Sequence, residues 1–531
     1  MLNQMPVGME VMVTSPHYLA SSAGARMLAD GGNAYDAAIA VSAALAVVYP
    51  HMTGLGGDSF FLTYNAASGE LSGYNGSGRS PAMLTREMFE QMQLRSIPQR
   101  GVLSALTVPG MVDAWWEVSQ KFGKLSWSDL LAPAVFYAEH GCPVSRNLRE
   151  WLIKDEQFIR ADQGLASVFL KDGELLKEGD ILIQQELAAS LKLLQSGGKD
   201  VFYKGGLAEQ ITNAVKKDGG FLQKEDFENH TGEWVTPVST GYRGYEVYQM
   251  PPNSQGFSVL MMLNMLEHTE VSSVERISST YYHLMTEVTK KAFRDRDRYL
   301  TDPDFREIPL EELLSKPYAD KLWQEIEQHP NRAEPTLSKA MGQDTAYAAV
   351  VDHEGNAVSF IQSLYFDFGS AYMAEGTGIV LQNRGSFFSL DPSEANVLEP
   401  AKRSFHTLMP GMVFKDGKPY LLLGTQGGEG QPQTQLSLLT AVLDYNLSVQ
   451  EAISLPRWVY GRTWGEEGDE LKLEQRFDDV ILNELEEMGH KVRPLGPWDD
   501  LMGQAQGILI QENGLRSGAA DPRGDGAAIG W

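Results

Sequence analysis

The chain has 531 residues, 43% of them hydrophobic, with a single cysteine, 44 basic against 70 acidic residues and a formal net charge of −26. That length and composition suit a folded globular protein with a large core. The lone Cys142 excludes an intrachain disulfide framework and any CxxC metal or redox motif, and the negative field opposes a nucleic-acid or anionic-lipid partner.

The N-terminal stretch carries no Lys or Arg before Arg26, so it does not read as a secretory signal. The most apolar run, Ala34 to Val48, is shorter than the ~20 residues a membrane span needs and includes Asp36 and Ser42. The expectation is a cytoplasmic protein with no membrane partner. Asn33 is placed as the N-cap of a helix with Asp36 three residues on, a capping-box pattern, and Ala, Val and Ile follow until Pro50. GLGGDSFFLTYNAASGELSGYNGSGR then reads as strand, turn, strand. From about Gly110 to Leu337 helical spacing dominates, as in Phe257 to Glu267 and in SSTYYHLMTEVTKKAFRDRDRYL.

Asn331 to Asp344, NRAEPTLSKAMGQD, reads as an exposed polar connector. The pattern then changes: TAYAAVV, the turn DHEGN and AVSFIQS predict a β-hairpin whose first strand begins at Thr345. A second hairpin spans Met412 to Gly424 and runs into the glycine loop GTQGGEGQ, with a helix expected over Leu436 to Leu443. Sheets flanked by helices without a βαβ rhythm give an α+β class. His140 and Cys142, two residues apart, read as packing rather than a nucleophile pair. GLGGDS lacks the Lys-Ser/Thr of a phosphate loop, and ten scattered histidines with no HExxH point to no metal and no cofactor.

Several blocks occur in order: NAYDAAIAVSAALAVVYP, GLGGDSFF, VPGMVDAW, MPPNSQG, YLTDPDF, DTAYAAVVDHEGNAVS, GTGIVLQN, GTQGG and LPRW. On these, over nearly its whole length, the chain resembles the γ-glutamyltranspeptidase (glutathione hydrolase) family of N-terminal nucleophile hydrolases. The resemblance implies a four-layer αββα sandwich and a precursor that cuts itself between Asp344 and Thr345. The products would be a large subunit, 1–344, and a small subunit, 345–531, sharing one composite domain, with any higher homo-oligomer left open. A threonine hydroxyl is a poor nucleophile unless a base takes its proton. A free α-amine, with a pKa of roughly 7.7–8, can be that base, whereas a backbone amide cannot. The family likeness assigns Thr345 as nucleophile, Ser363 as its hydroxyl support, and Gly427 and Gly428 as oxyanion donors.

The substrate side departs from the family pattern. Ser77 stands where the family has its carboxylate-gripping arginine, with Arg79 two residues later. In NRGSFF, Phe387 replaces the acid that binds the α-ammonium and Arg384 replaces a glutamine. The paired serines become His406 and Thr407, and an asparagine becomes Tyr365. Arg79, Arg384, Tyr365, His406 and Thr407 are therefore the substrate-binding candidates, while either arginine reads equally as a structural ion-pair residue and His406 as a local hydrogen-bonding one. Three readings stay open: a γ-glutamyl hydrolase or transferase, an acylase for other carboxylate-bearing amides (cephalosporin side chains, small oxo-acid amides), and an unprocessed, silent binding homologue.

Overall fold

The computed structural model of the protein describes residues 5–330, 344–462 and 468–531. Of the predicted connector, residues 331–343 lie outside the described residues. Fourteen strands form two seven-stranded sheets. In the first, the order is Ala527–Gly530, Met12–Ser15, Asp344–Val351, Ala357–Tyr365, Asp58–Asn65, Glu70–Gly76 and Glu233–Val235. In the second it is Val7–Gly8, Arg516–Ala520, Ala505–Ile510, Lys418–Thr425, Gly411–Lys415, Tyr245–Gln249 and Val238–Tyr242.

The period-2 alternation of these strands sorts their side chains into separate layers. Tyr347, Ala349 and Val351 meet Phe60, Leu62, Ile361, Met412, Leu422 and Ile508 between the sheets. Their alternates Ala346, Ala348 and Val350 join Phe61 and Phe360 against an outer layer that contains the helix Ala34–Val48. On the far side, Val247, Val413, Leu421 and Leu423 pack with the helices Phe257–Leu266, Ser279–Tyr299 and Gln431–Leu443. Helix, sheet, sheet, helix is the expected αββα sandwich. Both faces of the central strands are covered, which is why they read as almost unbroken apolar runs.

Local signals explain individual elements. Asn33 accepts hydrogen bonds from the Tyr35 and Asp36 N–H groups, and Asp36 Oδ2 accepts from the Asn33 N–H at 3.0 Å, closing the predicted capping box. Every residue of that helix is buried, and its small side chains permit the close approach. The second glycine loop differs from expectation: the helix after it starts at Gln431, five residues before Leu436. Its polar first turn is interior, because Gln433 donates to the Tyr460 carbonyl at 3.0 Å and Gln435 to that of Met409 at 2.6 Å. Among the described residues, no helix is long and apolar enough to cross a membrane.

Both sheets mix strands from the two sides of the Asp344–Thr345 bond. Met12–Ser15, for example, is paired on one edge with Asp344–Val351 and on the other with Ala527–Gly530. A cut at that bond severs no strand pairing within this framework.

Candidate active site

Asp344–Val351 pairs with Ala357–Tyr365, and the register slips between Asp344 and Ala346, so Thr345 occupies an irregularity at the head of its strand. Such a bulge leaves one residue outside the ladder and re-aims its side chain. Thr345 is 1% exposed. Opposite Asp344 stands Tyr365, whose φ of 85° is in the left-handed region, so the chain turns away from the sheet there. The hydroxyl of Ser363 accepts the Tyr365 N–H at 2.7 Å and fixes this turn.

Two residues beyond Thr345, the Tyr347 ring lies against Gly424. A Cβ on that glycine would stand 2.2 Å from the ring, so a larger residue has no room. The contact carries the head of the threonine strand toward the end of Lys418–Thr425, where the loop holding Gly427 and Gly428 begins. Gly427 has φ 124° and Gly428 φ 52°, values that favour glycine at both places. The Gly427 carbonyl accepts the Gly430 N–H at 2.7 Å. In a trans peptide the N–H points opposite to the carbonyl, so the Gly428 N–H is turned away from the helix that follows. The Gly428 carbonyl is held in turn by Gln255 Nε2 at 2.9 Å, and the same amide nitrogen donates to the Thr407 carbonyl at 2.9 Å.

Behind the loop lies a buried charge network. Glu429 meets Arg296 at 3.1 Å and Arg462 Nε at 3.0 Å, and Asp297 bridges the two arginines at 2.7 and 3.1 Å. Arg296 Nη1 donates to Gln255 Oε1 at 3.0 Å, linking the network to the Gly428 carbonyl. Desolvated ion pairs in a closed network hold their geometry firmly. Sequence reading did not single out Gln255, Arg296, Glu429 or Arg462; Gln255 sits in MPPNSQG, the one local sign of it.

Among the substrate-binding candidates, Arg384 is 1% exposed. Its guanidinium carbon lies 3.9 Å from the Tyr365 ring centre and Nη1 donates to Thr407 Oγ1 at 3.2 Å, while Nε has no protein acceptor. No carboxylate among the described residues forms an ion pair with it. Burial pushes its pKa down to about 10, with Tyr365 and Asp58 opposing that shift. Phe387 packs edge-on against Phe405, ring centres 4.8 Å apart, and lies 6.1 Å from Tyr365.

His406 donates through Nε2 to Asp58 Oδ2 at 3.1 Å and accepts the Leu408 N–H at Nδ1, 3.3 Å away. Those partners require the neutral ring. Burial, reinforced by the Arg384 charge and opposed by Asp58, lowers its pKa to about 4. Asp58, absent from the sequence candidates although inside GLGGDSFF, also accepts from Gly78 N–H, Gly110 N–H and Gln382 Nε2 at 3.3, 3.0 and 2.9 Å. Four donors satisfy this buried carboxylate.

Arg79 is placed differently. Its guanidinium is held by Asp302 at 2.9 Å and Asp304 at 2.7 Å, so the structure engages it in ion pairs. Ser77 is buried and bonded to Asn75 and Asn253. Thr345, Ser363, Tyr365, Arg384 and Thr407 are thus linked through one hairpin and its neighbours, with His406 and the glycine loop joined to them through Thr407 and Gln255.

The family described as gamma-glutamyltranspeptidase matches residues 20–531. Among curated proteins, the chain is 53% identical to the glutathione hydrolase-like YwrD proenzyme of Bacillus subtilis (strain 168), covering all of both chains. It is 37% identical to the oxamate amidohydrolase proenzyme of Klebsiella pneumoniae subsp. pneumoniae, with 98% of each covered. Among solved structures, the cephalosporin acylase from Bacillus halodurans superposes with a TM-score of 0.93 at 36% identity, covering 100% of this chain and 97% of that one.

Proposed function

The chain belongs to the gamma-glutamyltranspeptidase family, and from that premise we propose that Thr345 is both its maturation residue and its nucleophile, serving amides whose acyl group carries a carboxylate but no ammonium. The class itself is that of autoprocessing N-terminal nucleophile hydrolases and acyltransferases, made as proenzymes. In the precursor, the Thr345 hydroxyl adds to the Asp344 carbonyl and the Asp344–Thr345 amide becomes an ester. Water opens the ester, leaving a carboxylate on Asp344 and a free amine on Thr345. The pieces 1–344 and 345–531 stay associated through sheets that contain strands of both.

In the mature enzyme, that amine accepts the hydroxyl proton as Thr345 Oγ attacks the substrate carbonyl. The Gly427 and Gly428 N–H groups receive the oxyanion. The leaving amine takes the proton, and water or another amine then releases the acyl group from the threonine ester. Ser363 positions the turn at Tyr365 beside the nucleophile strand.

The observation that carries the substrate reading is Arg384: a guanidinium 1% exposed, stacked on Tyr365, with no ion pair among the described residues. Burying a charge without a partner is costly, so such a group favours an anionic ligand. An arginine fork suits a carboxylate in two-point contact. An α-ammonium finds the opposite environment, because Asp58 is already taken by His406, Gln382 and two backbone N–H groups. The Klebsiella relative is named for oxamate, whose acyl half ends in a carboxylate and has no ammonium.

Two anilides separate the readings. Glutaryl p-nitroanilide and γ-glutamyl p-nitroanilide differ only in the α-ammonium. The glutaryl compound is expected to have the higher kcat/KM, and Arg384→Met should lower that value by about 100-fold, the worth of a lost charged hydrogen-bond pair. A higher kcat/KM for the γ-glutamyl compound, or an unchanged glutaryl rate in Arg384→Met, would refute the assignment.

A further inference from the structure

Away from the threonine, His283 and Glu287 stand one turn apart on the helix Ser279–Tyr299 and so project from one face. His490 follows the helix Asp479–Glu487 and is fixed by its N–H, which donates to the Leu485 carbonyl at 3.0 Å. The fold brings the three together: one ligating atom from each lies within 4.8 Å of the others. His283 Nδ1 and His490 Nε2 are 2.8 Å apart, with ring planes inclined at 65°. Glu287 and His490 are 1% and 6% exposed.

We propose that His283, Glu287 and His490 form a divalent-metal site of zinc type that staples residues 1–344 to residues 345–531. Two imidazoles and a carboxylate are a donor set that zinc accepts, with water completing a tetrahedron. The geometry is close to what the ion needs. At a contact of 2.8 Å, one nitrogen must present a lone pair to the other's N–H. Two nitrogens on a tetrahedral zinc stand about 3.3 Å apart, so the pair opens by roughly half an ångström. The hydrogen that bridges the rings moves to the far nitrogen of its own ring, and no proton need leave the protein. Lys290 Nζ, 2.8 Å from Glu287 Oε1, holds the carboxylate in orientation. Ligands fixed in this way by neighbours bind more tightly than mobile ones.

The ligands come from both sides of the Asp344–Thr345 bond, so the ion would tie the two products together. That consequence rests on the maturation reading, whereas the binding does not. Metal-stripped protein is titrated with Zn2+ alone, by calorimetry and by metal content after dialysis. One equivalent should bind to the wild-type and to the uncut Thr345→Ala variant, and His490→Gln or the more exposed His283→Gln should weaken it at least about tenfold. In processed protein, zinc should raise the urea concentration that separates the two pieces, and His490→Gln should remove the increase. A chain that never cuts itself would refute the maturation reading and leave the titration intact. No retained zinc in the wild-type, or zinc retained equally by both histidine variants, would overturn the site.

Discussion

The proposed nucleophile side and the proposed acyl side of the site are built on different physical terms. Around Thr345, position comes from backbone: a register slip, a positive φ at Tyr365, and two glycines whose carbonyls are anchored to Gly430 and Gln255. Around Arg384, position comes from side chains: a ring, a hydroxyl and a neutral imidazole pinned to Asp58. Backbone geometry suits a chemistry that every substrate shares. Side-chain geometry can be exchanged residue by residue, so the same sandwich can take a different acyl group without altering its catalytic end.

The largest effect should come from the backbone-set side. Thr345→Ala removes the attacking oxygen for both reactions, so one uncut chain is expected on a denaturing gel in place of two pieces. Amide turnover should fall by a factor on the order of 10⁶, as for loss of a serine nucleophile. Continued cleavage at the same bond in this variant would break the maturation mechanism. Next comes Gly427→Ala. At φ 124° an alanine is strained, and a shifted N–H costs typically 10²–10³ in kcat. The sharpening detail is that KM should change far less than kcat, since the donors act on the developing oxyanion. A variant that altered KM alone would move Gly427 to the binding side.

What the sequence disclosed follows the same division. Elements specified by near neighbours were legible: the Asn33–Asp36 capping box, the two hairpins, the helices from Phe257 and Ser279. The two-layer sheet arrangement came through family resemblance rather than through periodicity, because strands covered on both faces lose their alternation. Groups that act in pairs across long separations were not legible. Asp58 meets His406 348 residues away, and Gln255 meets Gly428 173 away. The early start of the helix at Gln431 was hidden for a related reason: its glutamines look like loop until their distant carbonyl partners are known.

The acyl side should show its own signature in acid. Burial holds His406 neutral with a pKa of about 4, below the ordinary histidine value of 6.5. The unfolded chain therefore binds this proton first as pH falls, and stability is present in full above about pH 6.5 and lost toward pH 4. Between pH 7 and 5 the single group accounts for about 2 kcal/mol of that loss. His406→Gln should lose correspondingly less stability over the interval in urea titrations at the two pH values. Buried His17, His51 and His230 are lowered too, so the test is the difference between variant and parent, not the absolute slope. An identical pH dependence in both would show that His406 takes up its proton alike in the folded and the unfolded chain, and would refute its being held neutral.

The smallest effect distinguishes the two arginines offered by the sequence. Arg79 is about a third exposed and spends its guanidinium on Asp302 and Asp304, whereas Arg384 is buried on an aromatic ring without a carboxylate partner. The exposed Asp304 arm contributes at most about 1 kcal/mol, and buried Asp302 keeps the Arg403 and Asp304 N–H groups at 2.8 and 3.1 Å when Arg79 is removed. Arg79→Gln should thus cost little stability and leave the KM for glutaryl p-nitroanilide within about twofold of the parent, a shift well under 1 kcal/mol. The contrast is informative because both residues carry the same charge, so a field effect on an anionic substrate would appear in both variants. If Arg79→Gln raised KM as strongly as Arg384→Met, the acyl carboxylate would have to reach Arg79 by displacing Asp304, and the acyl side would be set by a movable ion pair instead of a fixed stack.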